Sequence, residues 1–329
     1  MIARALICYL LLTLFLAPFT GHCQQKDSTY YKKQNAPGVK KILIDGKFWV
    51  WVQKIGDGKI NVLLLHGGPA ITHECFEIFA RYLPKHGITI YYYDQFGSYF
   101  SQDPTKEQLN DPSIWKVSRY VDEIEQVRKG LDLDKFFIYG HSYGALLALA
   151  YTYKYPANVK GMIFSDMNPS QKDLSERYSQ VNEETDSTLN KLDKYHTLLQ
   201  NKTKGLPYDT NRYQKAFDST FERNFLVRLG TLPDYLVRTK AHKNFETARL
   251  IGPSTFSLNY AEMIPQIKVP VLIIAGEYDF IISREQVINL SAKFPNAQWY
   301  MVPDAAHMCF SDNPKMYFPG LIKFIKENE

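Results

Sequence analysis

The sequence has little cysteine and no block of charge of one sign. Of its 329 residues 4 are cysteines, and lysine plus arginine outnumber aspartate plus glutamate by 39 to 34. The net charge of +5 is spread along the chain without a run of five or more like charges, so we expect no nucleic-acid partner. Repeats and low-complexity tracts are also absent. A hydrophobic content of 45% at this length suits one large globular domain or a domain with an insertion.

The apolar run at the N-terminus is short for a membrane span. Arg4 precedes apolar residues from Ala5 to about Phe19, and Pro18 interrupts them. A basic residue followed by a short apolar run and small residues is typical of a secretory signal peptide, here residues 1–23. We therefore expect a secreted or periplasmic protein with no stable membrane span after processing. A permanent anchor is the weaker alternative.

Cleavage near Cys23 would leave only Cys75 and Cys309. Two cysteines make no disulfide scaffold, although an oxidising compartment permits one bond between them. Free thiols are expected, and we interpret Cys309 as a packing residue. Lipidation of Cys23 is an alternative processing route, which His22 directly before it disfavours.

Short apolar segments alternate with helical patterns over most of the chain. Strands are predicted for KKILIDG, FWVWVQKI, INVLLLHGG, ITIYYYDQFG, KFFIYG, VKGMIFSD, VPVLIIAGEYD and AQWYMVPD. Helices are predicted for HECFEIFARYL, Ser113 to Gly130, Ser142 to about Tyr155, Arg284 to Phe294 and Pro314 to about Lys326. This order predicts an α/β protein whose mostly parallel eight-stranded sheet carries helices on both faces.

The strand signal disappears in the middle of the chain. Between residues 169 and 266 the composition turns to Lys, Asn, Glu and Tyr with helical spacing. We therefore predict a core in two parts, residues 24–168 and 267–329, with residues 169–266 inserted as a helical cap.

Gly140-His141-Ser142-Tyr143-Gly144 follows an apolar strand and opens a helix rich in alanine and leucine. This is the setting of a nucleophile elbow, in which small residues let the backbone turn sharply and expose the serine hydroxyl above the sheet. An ordinary strand-to-helix turn is the alternative. Ser142 is the predicted nucleophile.

A serine hydroxyl needs a base that a carboxylate orients. Asp279 and His307 each follow the carboxyl end of a predicted strand, where ligands of parallel sheets collect, and the order Ser, Asp, His fits an α/β-hydrolase. We interpret the remaining candidates as structural or surface residues, namely Glu277, Asp304, His73, His86, His141, His196 and His242.

A tetrahedral intermediate also needs two hydrogen-bond donors for its oxygen. The backbone N–H of Tyr143, directly after the nucleophile, is the first candidate. The second is Gly68 in the loop HGGPA, where glycines let the backbone approach a substrate.

These residues resemble the proline iminopeptidase (prolyl aminopeptidase) branch of the α/β-hydrolases. The resemblance lies in LLLHGGPA, YYYDQFGSYFS, SIWKVSRYVDEIEQVRKGLDLDKFFIYGHSYGALLALAY and VPVLIIAGEYD, and it weakens within the insertion. It implies a serine peptidase that cleaves N-terminal residues, often proline, from short peptides or amides without a metal or other cofactor. It also implies that Ser142, Asp279 and His307 form the triad and that Gly68 and Tyr143 form the oxyanion hole.

The sequence departs from the family beside the expected site. The family's His-Gly-Gly-Pro-Gly ends here in Ala70, and its Asp-Gln-Arg-Gly has Phe96 in place of arginine. Two glutamates that hold the substrate amine in the family correspond here to Thr255 and Phe280. A protonated amine removed from water needs carboxylate partners, so these positions put the inherited substrate in doubt. Thr255, Phe280 and Phe256 are the predicted substrate-binding residues.

The sequence thus predicts a secreted serine hydrolase that cleaves an N-terminal residue from a short peptide or amide through an acyl-enzyme on Ser142. Two alternatives stay open: a carboxylesterase-type hydrolase of small apolar esters, and a non-catalytic binding protein with the α/β-hydrolase fold. The partner is a small peptide, amide or ester, and the oligomeric state is undetermined.

Overall fold

The computed structural model describes residues 26–177, 179–180 and 233–329. Its centre is one sheet of eight strands. The strands are β1 (Val39–Ile44), β2 (Phe48–Ile55), β3 (Ile60–Leu65), β4 (Ile88–Asp94), β5 (Phe136–His141), β6 (Val159–Ser165), β7 (Val271–Gly276) and β8 (Ala297–Val302). The predicted eight-stranded sheet is thereby confirmed.

The strands lie in the order β1-β2-β4-β3-β5-β6-β7-β8. β2 pairs antiparallel with both β1 and β4, and every other neighbouring pair in the sheet is parallel. The carboxyl ends of β5, β6, β7 and β8 therefore meet at one edge. Each parallel pair needs a crossover connection, and the helices provide these connections.

Helices cover both faces of the sheet. The α-helices are α1 (Ser28–Gln34), α2 (Lys106–Leu109), α3 (Val117–Gly130), α4 (Tyr143–Lys154), α5 (Asp234–Ala241), α6 (Phe245–Ile251), α7 (Tyr260–Met263), α8 (Arg284–Ser291), α9 (Cys309–Asp312) and α10 (Pro314–Glu327). Residues 171–177 are also helical. Short 3₁₀ helices are His73–Arg81, Pro84–His86, Pro156–Asn158, Gly252–Ser254 and Ile264–Gln266.

Alternation along the strands divides the core into two clusters. Leu63 and Leu65 of β3 pack in one cluster with residues of α3, α4 and α8, while Leu64 packs in the other with residues of His73–Arg81 and α10. Successive side chains of a strand point to opposite faces. Because both faces are covered, the inner strands are mostly apolar, and all residues of β4, β5 and β7 are buried.

Two helices differ from the sequence-based expectation. His73–Arg81 is a 3₁₀ helix. The helix predicted from Ser113 begins at Val117, because Ser113 belongs to a turn in which its backbone N–H and its hydroxyl both donate to Asp111 Oδ1, at 2.9 and 2.6 Å.

The described parts of the predicted cap are helical. Residues 171–177 form one helical segment, and α5, α6, α7 and two 3₁₀ helices make up most of the remainder. The predicted signal peptide (1–23) and the middle of the predicted cap lie outside the described residues. None of the described helices is both long and apolar enough to cross a membrane.

Candidate active site

Ser142 occupies a sharp turn between β5 and α4. Its backbone angles are φ 55° and ψ −125°, a conformation rare for any residue but glycine. The Ser142 N–H donates to the Ser165 carbonyl of β6 at 2.9 Å, which ties the turn to the sheet. Ser142 is partly exposed, whereas His141 and Tyr143 on either side are buried. The turn therefore presents the serine hydroxyl and hides its neighbours.

The glycines of this turn have no room for a side chain. A Cβ added to Gly144 would lie 2.1 Å from the Leu65 carbonyl oxygen, and one added to Gly140 would lie 2.3 Å from the Gly144 carbonyl oxygen. Both contacts are with backbone, which cannot move aside as a flexible side chain does. The spacing Gly-x-Ser-x-Gly is thus a packing requirement of this turn.

Asp279 and His307 meet at the carboxyl edge of the sheet. Asp279 follows β7, His307 follows β8, and His307 Nδ1 donates to Asp279 Oδ2 at 3.2 Å. Asp279 is fully buried and His307 is 4% exposed. The Ile281 N–H donates to Asp279 Oδ1 at 2.6 Å. The aspartate is therefore held on two sides, and the bond to Nδ1 leaves Nε2 as the imidazole nitrogen that can act as a base.

The charges around this pair favour an ionised Asp279. Burial opposes ionisation, but the charge and hydrogen bond of His307 outweigh it, and the pKa of Asp279 is lowered from its ordinary value. The pKa of the neighbouring His141 falls to about 3 because burial disfavours its charged form. The Nε2–H of this neutral His141 donates to the His307 backbone carbonyl at 2.8 Å. His141 thereby positions the loop that carries His307.

The loop after β3 lies directly against the serine. A Cβ added to Gly67 would lie 2.8 Å from the Ser142 Cβ and 2.9 Å from the His141 carbonyl oxygen. Gly68 has φ 116°, which a residue with a side chain rarely adopts. A Cβ added there would lie 2.9 Å from the Ile71 nitrogen, so the loop requires glycine at this position, and its oxyanion role stays a prediction. Ala70 also has a positive φ, 59°, where the resembling family has glycine.

The start of α6 contacts this loop through the backbone of Asn244. The Asn244 N–H donates to the Ala70 carbonyl at 2.9 Å, and the Asn244 side-chain amide donates to the Gly97 carbonyl at 2.9 Å. A Cβ added to Gly97 would lie 2.7 Å from a methyl group of Thr247. The start of α6 is therefore fixed on the two loops that follow β3 and β4.

The three predicted substrate-binding residues occupy different surroundings. The Phe280 ring lies 5.0 Å from the His307 ring at an interplanar angle of 60°, so it forms an apolar wall beside the predicted base. Thr255 is 6% exposed, and its carbonyl accepts the Tyr260 hydroxyl at 2.8 Å. Phe256 is partly buried against the core cluster that contains α4. Among the described residues, Phe280 is the one of these three whose ring contacts a residue of the predicted triad.

Asp166 is the residue that sequence reasoning missed. It directly follows β6, is 1% exposed, and brings a carboxylate oxygen within 4.8 Å of Asp279 and His307 ligand atoms. These three side chains are the group in the described residues that could hold a metal ion, but His307 Nδ1 is already bonded to Asp279. The sequence did contain a sign of it: Asp166 ends the predicted strand VKGMIFSD, just as Asp279 ends the predicted strand VPVLIIAGEYD.

Comparisons with known proteins agree with this fold. A family model described as alpha/beta hydrolase fold matches residues 60–314. A proline iminopeptidase of Flavobacterium johnsoniae is 34% identical over 295 residues, covering 86% of this chain and 95% of that protein. A proline iminopeptidase of Elizabethkingia meningoseptica is 33% identical with the same shares covered.

Solved structures share the fold at low sequence identity. A proline iminopeptidase of Mycobacterium smegmatis has a TM-score of 0.71 at 19% identity, covering 88% of this chain and 98% of that chain. An esterase, EaEST, from Exiguobacterium antarcticum has a TM-score of 0.66 at 17% identity, covering 87% of this chain and 99% of that chain. At such identities the likeness concerns the fold alone.

Proposed function

This chain belongs to the proline iminopeptidase family of alpha/beta hydrolases, and on that premise we propose that it removes an N-terminal residue from short peptides or amides through an acyl-enzyme on Ser142. It is a serine hydrolase of the prolyl aminopeptidase type. One observation carries the assignment of residues: the strained, partly exposed Ser142 and the buried Asp279–His307 pair lie at the same edge of the sheet.

The reaction proceeds in two stages. His307 takes the proton of the Ser142 hydroxyl as its oxygen attacks the substrate carbonyl, and Asp279 stabilises the imidazolium that forms. The N–H groups of Tyr143 and Gly68 donate to the tetrahedral oxygen. His307 then returns the proton to the leaving amine, and the ester on Ser142 remains. Water, deprotonated by His307, hydrolyses that ester and releases the acid and free serine.

The surroundings of His307 favour an apolar N-terminal residue. The Phe280 ring stands beside the imidazole where the family pattern has a glutamate for the substrate amine. Phe280 offers apolar contact and no charge to that amine. The same observation favours a second candidate, a carboxylesterase acting on small apolar esters, because an ester substrate requires no amine partner.

Turnover of matched substrates tests the proposal. We expect purified protein to hydrolyse proline or alanine arylamides, and Ser142→Ala to reduce kcat by about 10⁴-fold or more because the nucleophile is lost. If the protein hydrolyses short-chain nitrophenyl esters but no arylamides, its activity is that of an esterase and the aminopeptidase proposal is wrong. A fluorophosphonate probe should label Ser142 in wild type and leave Ser142→Ala unlabelled. Folded wild-type protein that resists this probe would indicate a binding protein instead.

We further propose that the enzyme is exported and that its cap is the insertion 169–266 of a core formed by residues 24–168 and 267–329. The basic residue and short apolar run before residue 23 support export. The helical character of the described residues between 169 and 266 supports the division of the core.

A further inference from the structure

Asp166 is a second buried carboxyl group beside the acid of the predicted triad. It is 1% exposed, follows β6, and occupies a left-handed conformation with φ 54°. Its side chain and those of Asp279 and His307 bring ligand atoms within 4.8 Å of one another. None of the roles assigned above to Ser142, Asp279 and His307 uses this group.

The contacts of Asp166 hold its carboxyl plane in one orientation. Its Oδ1 accepts the Gly276 N–H at 3.0 Å, and its Oδ2 accepts the Ser165 hydroxyl at 2.6 Å and the Cys309 thiol at 3.1 Å. Cys309 therefore does more than fill space, since its thiol donates to this carboxyl group. The Asp166 side chain is fixed between β6, β7 and the start of α9.

The Asp166 carboxyl forms no ion pair with a lysine or arginine among the described residues, and the guanidinium of Arg177 donates to the backbone carbonyl of Asp279 at 2.9 Å. The titratable neighbours of Asp166 are Tyr139, His141, Asp279, His307, Cys309 and Tyr317. His141 Nε2 lies 3.8 Å from Asp166 Oδ2, but its proton goes to the His307 carbonyl. Two buried carboxylates within 4.8 Å of each other oppose one another's ionisation, which favours one proton on the pair.

Asp279 is the member of the pair that carries the charge, because it accepts from His307, whose imidazole can become a cation, whereas the donors to Asp166 are the neutral Gly276, Ser165 and Cys309 groups. The pKa of Asp166 is raised well above its ordinary value, first by burial and then by the negative charge of Asp279. The hydrogen bonds from Ser165 and Cys309 oppose this rise without reversing it. The two carboxyl groups bring oxygens within 4.8 Å of each other, and their mutual interaction raises the pKa of Asp166 and lowers that of Asp279.

We propose that Asp166 keeps its proton at neutral pH and donates it in a hydrogen bond to the Asp279 carboxylate, so that it acts as a positioning residue for Asp279. The positioning role rests on the proposed function, in which Asp279 is the acid that orients His307. The pair holds one negative charge and one proton. Asp166 thus restrains the carboxylate that faces His307 while adding no second charge to the site.

A variant of the same shape, Asp166→Asn, tests whether Asp166 is neutral or ionised. In Asp166→Asn the side-chain amide still donates to Asp279, and its oxygen still accepts the Gly276 N–H. We expect kcat within about twofold of wild type and an unshifted acidic limb in the pH profile of kcat/KM. An ionised Asp166 would give the opposite result. Loss of its negative charge would remove a charge that stabilises the protonated base and move the acidic limb to lower pH, which would overturn the proposal.

A truncated variant tests the hydrogen bond. Asp166→Ala removes the donor, and we expect kcat to fall by about tenfold to a hundredfold with little change in KM, because a hydrogen bond to a charged group is lost. Wild-type kcat in Asp166→Ala would contradict a positioning role. If this variant does not fold, Asp166→Asn and the measurement below still decide the question.

Carboxyl ¹³C NMR of aspartate-labelled protein measures protonation without any turnover. At about pH 8 Asp94, whose pKa burial raises to about 6, is ionised. We expect one aspartate carboxyl to remain protonated there and to disappear from the spectrum of Asp166→Asn. A spectrum with every aspartate ionised would disprove the inference. Because the readout needs no substrate, wild-type protein that fails to label with fluorophosphonate would refute the proposed function and leave this result intact.

Discussion

At the scale of single residues, the site depends on backbone positions that tolerate few side chains. A conformation such as that of Ser142 costs on the order of 1–3 kcal/mol, and the surrounding sheet maintains it through the bond from the Ser142 N–H to Ser165. Gly144 and Gly140 remove the steric conflict that Cβ atoms would cause with backbone oxygens. The Gly-x-Ser-x-Gly pattern predicted this turn because its steric requirement is local.

Phe280 provides a residue-scale test of substrate choice. We expect Phe280→Glu to favour arylamides with a free amine over N-acetylated ones by about tenfold relative to wild type, because the carboxylate would pair with the ammonium. The ratio of kcat/KM values for the two substrates is the measurement. A new charge beside His307 also changes the pKa of the base, but that change affects both substrates and cancels in the ratio.

Phe280→Gln is the matched control for this test. It has nearly the size of glutamate without its charge, so we expect it to leave the substrate ratio near the wild-type value. An equal change in both variants would mean that removal of the aromatic ring, and not the charge, alters selectivity.

At the scale of elements, partly buried charges join α5 to the 3₁₀ helix His73–Arg81. Arg238 of α5 donates from Nε to Glu74 Oε1 at 2.9 Å and from Nη2 to Glu77 Oε2 at 2.6 Å. His242, directly after α5, contacts Glu74 Oε2 at 2.6 Å and Asp27 Oδ2 at 3.3 Å. This set of residues connects α5, the 3₁₀ helix His73–Arg81 and the segment before α1. The contact is specific because buried charges are stable only when paired.

The pairing of His242 predicts a pH-dependent contribution to stability. Burial opposes protonation, but the hydrogen bonds and charges of Glu74 and Asp27 outweigh it, so the pKa of His242 is raised. A raised pKa in the folded state means that the contribution is complete below the unfolded value of about 6.5 and is lost as the pH rises through the folded value. Wild-type protein should therefore lose stability between about pH 6 and pH 8 as His242 gives up its proton. We expect His242→Gln to lose less stability over the same range.

Urea unfolding of both proteins across that range measures the effect. The difference in the free energy of unfolding should shrink with rising pH and remain below about 1 kcal/mol, because solvent reaches part of this site. A difference independent of pH would show that His242 contributes through packing on Tyr99, whose ring lies parallel to it at 4.1 Å. It would exclude the charged contribution.

At the scale of the whole molecule, the parallel sheet assembles the site. β5, β6, β7 and β8 are neighbours, and each is followed at the same edge by one polar side chain of the proposed site: Ser142, Asp166, Asp279 and His307 in turn. Both faces of the sheet are covered by apolar clusters, so these polar side chains sit at the boundary of the core. Burial there strengthens the electrostatic interactions that catalysis requires.

Export is a prediction about the whole chain. We expect the mature protein to begin at Gln24, as measured by intact mass after secretion from an expression host. Cys23→Ser should leave processing unchanged, because signal peptidase recognises small residues and no lipid acceptor is needed. Loss of processing in Cys23→Ser, or a lipid mass on wild type, would establish the lipoprotein route. An unprocessed chain in both would argue against the signal peptide.

The eight strands, their order along the chain and the turn at Ser142 follow from the sequence by itself. Periodicity, glycine spacing and strand-end polar residues act over a few neighbours, so they are readable in KFFIYG, HGGPA and GEYDF. The tertiary structure alone decided which strands lie side by side. It placed Asp166 against Asp279, His242 between Glu74 and Asp27, and Phe280 on His307. Such contacts join residues distant in sequence, and no local pattern specifies them because they depend on the order of strands in the sheet.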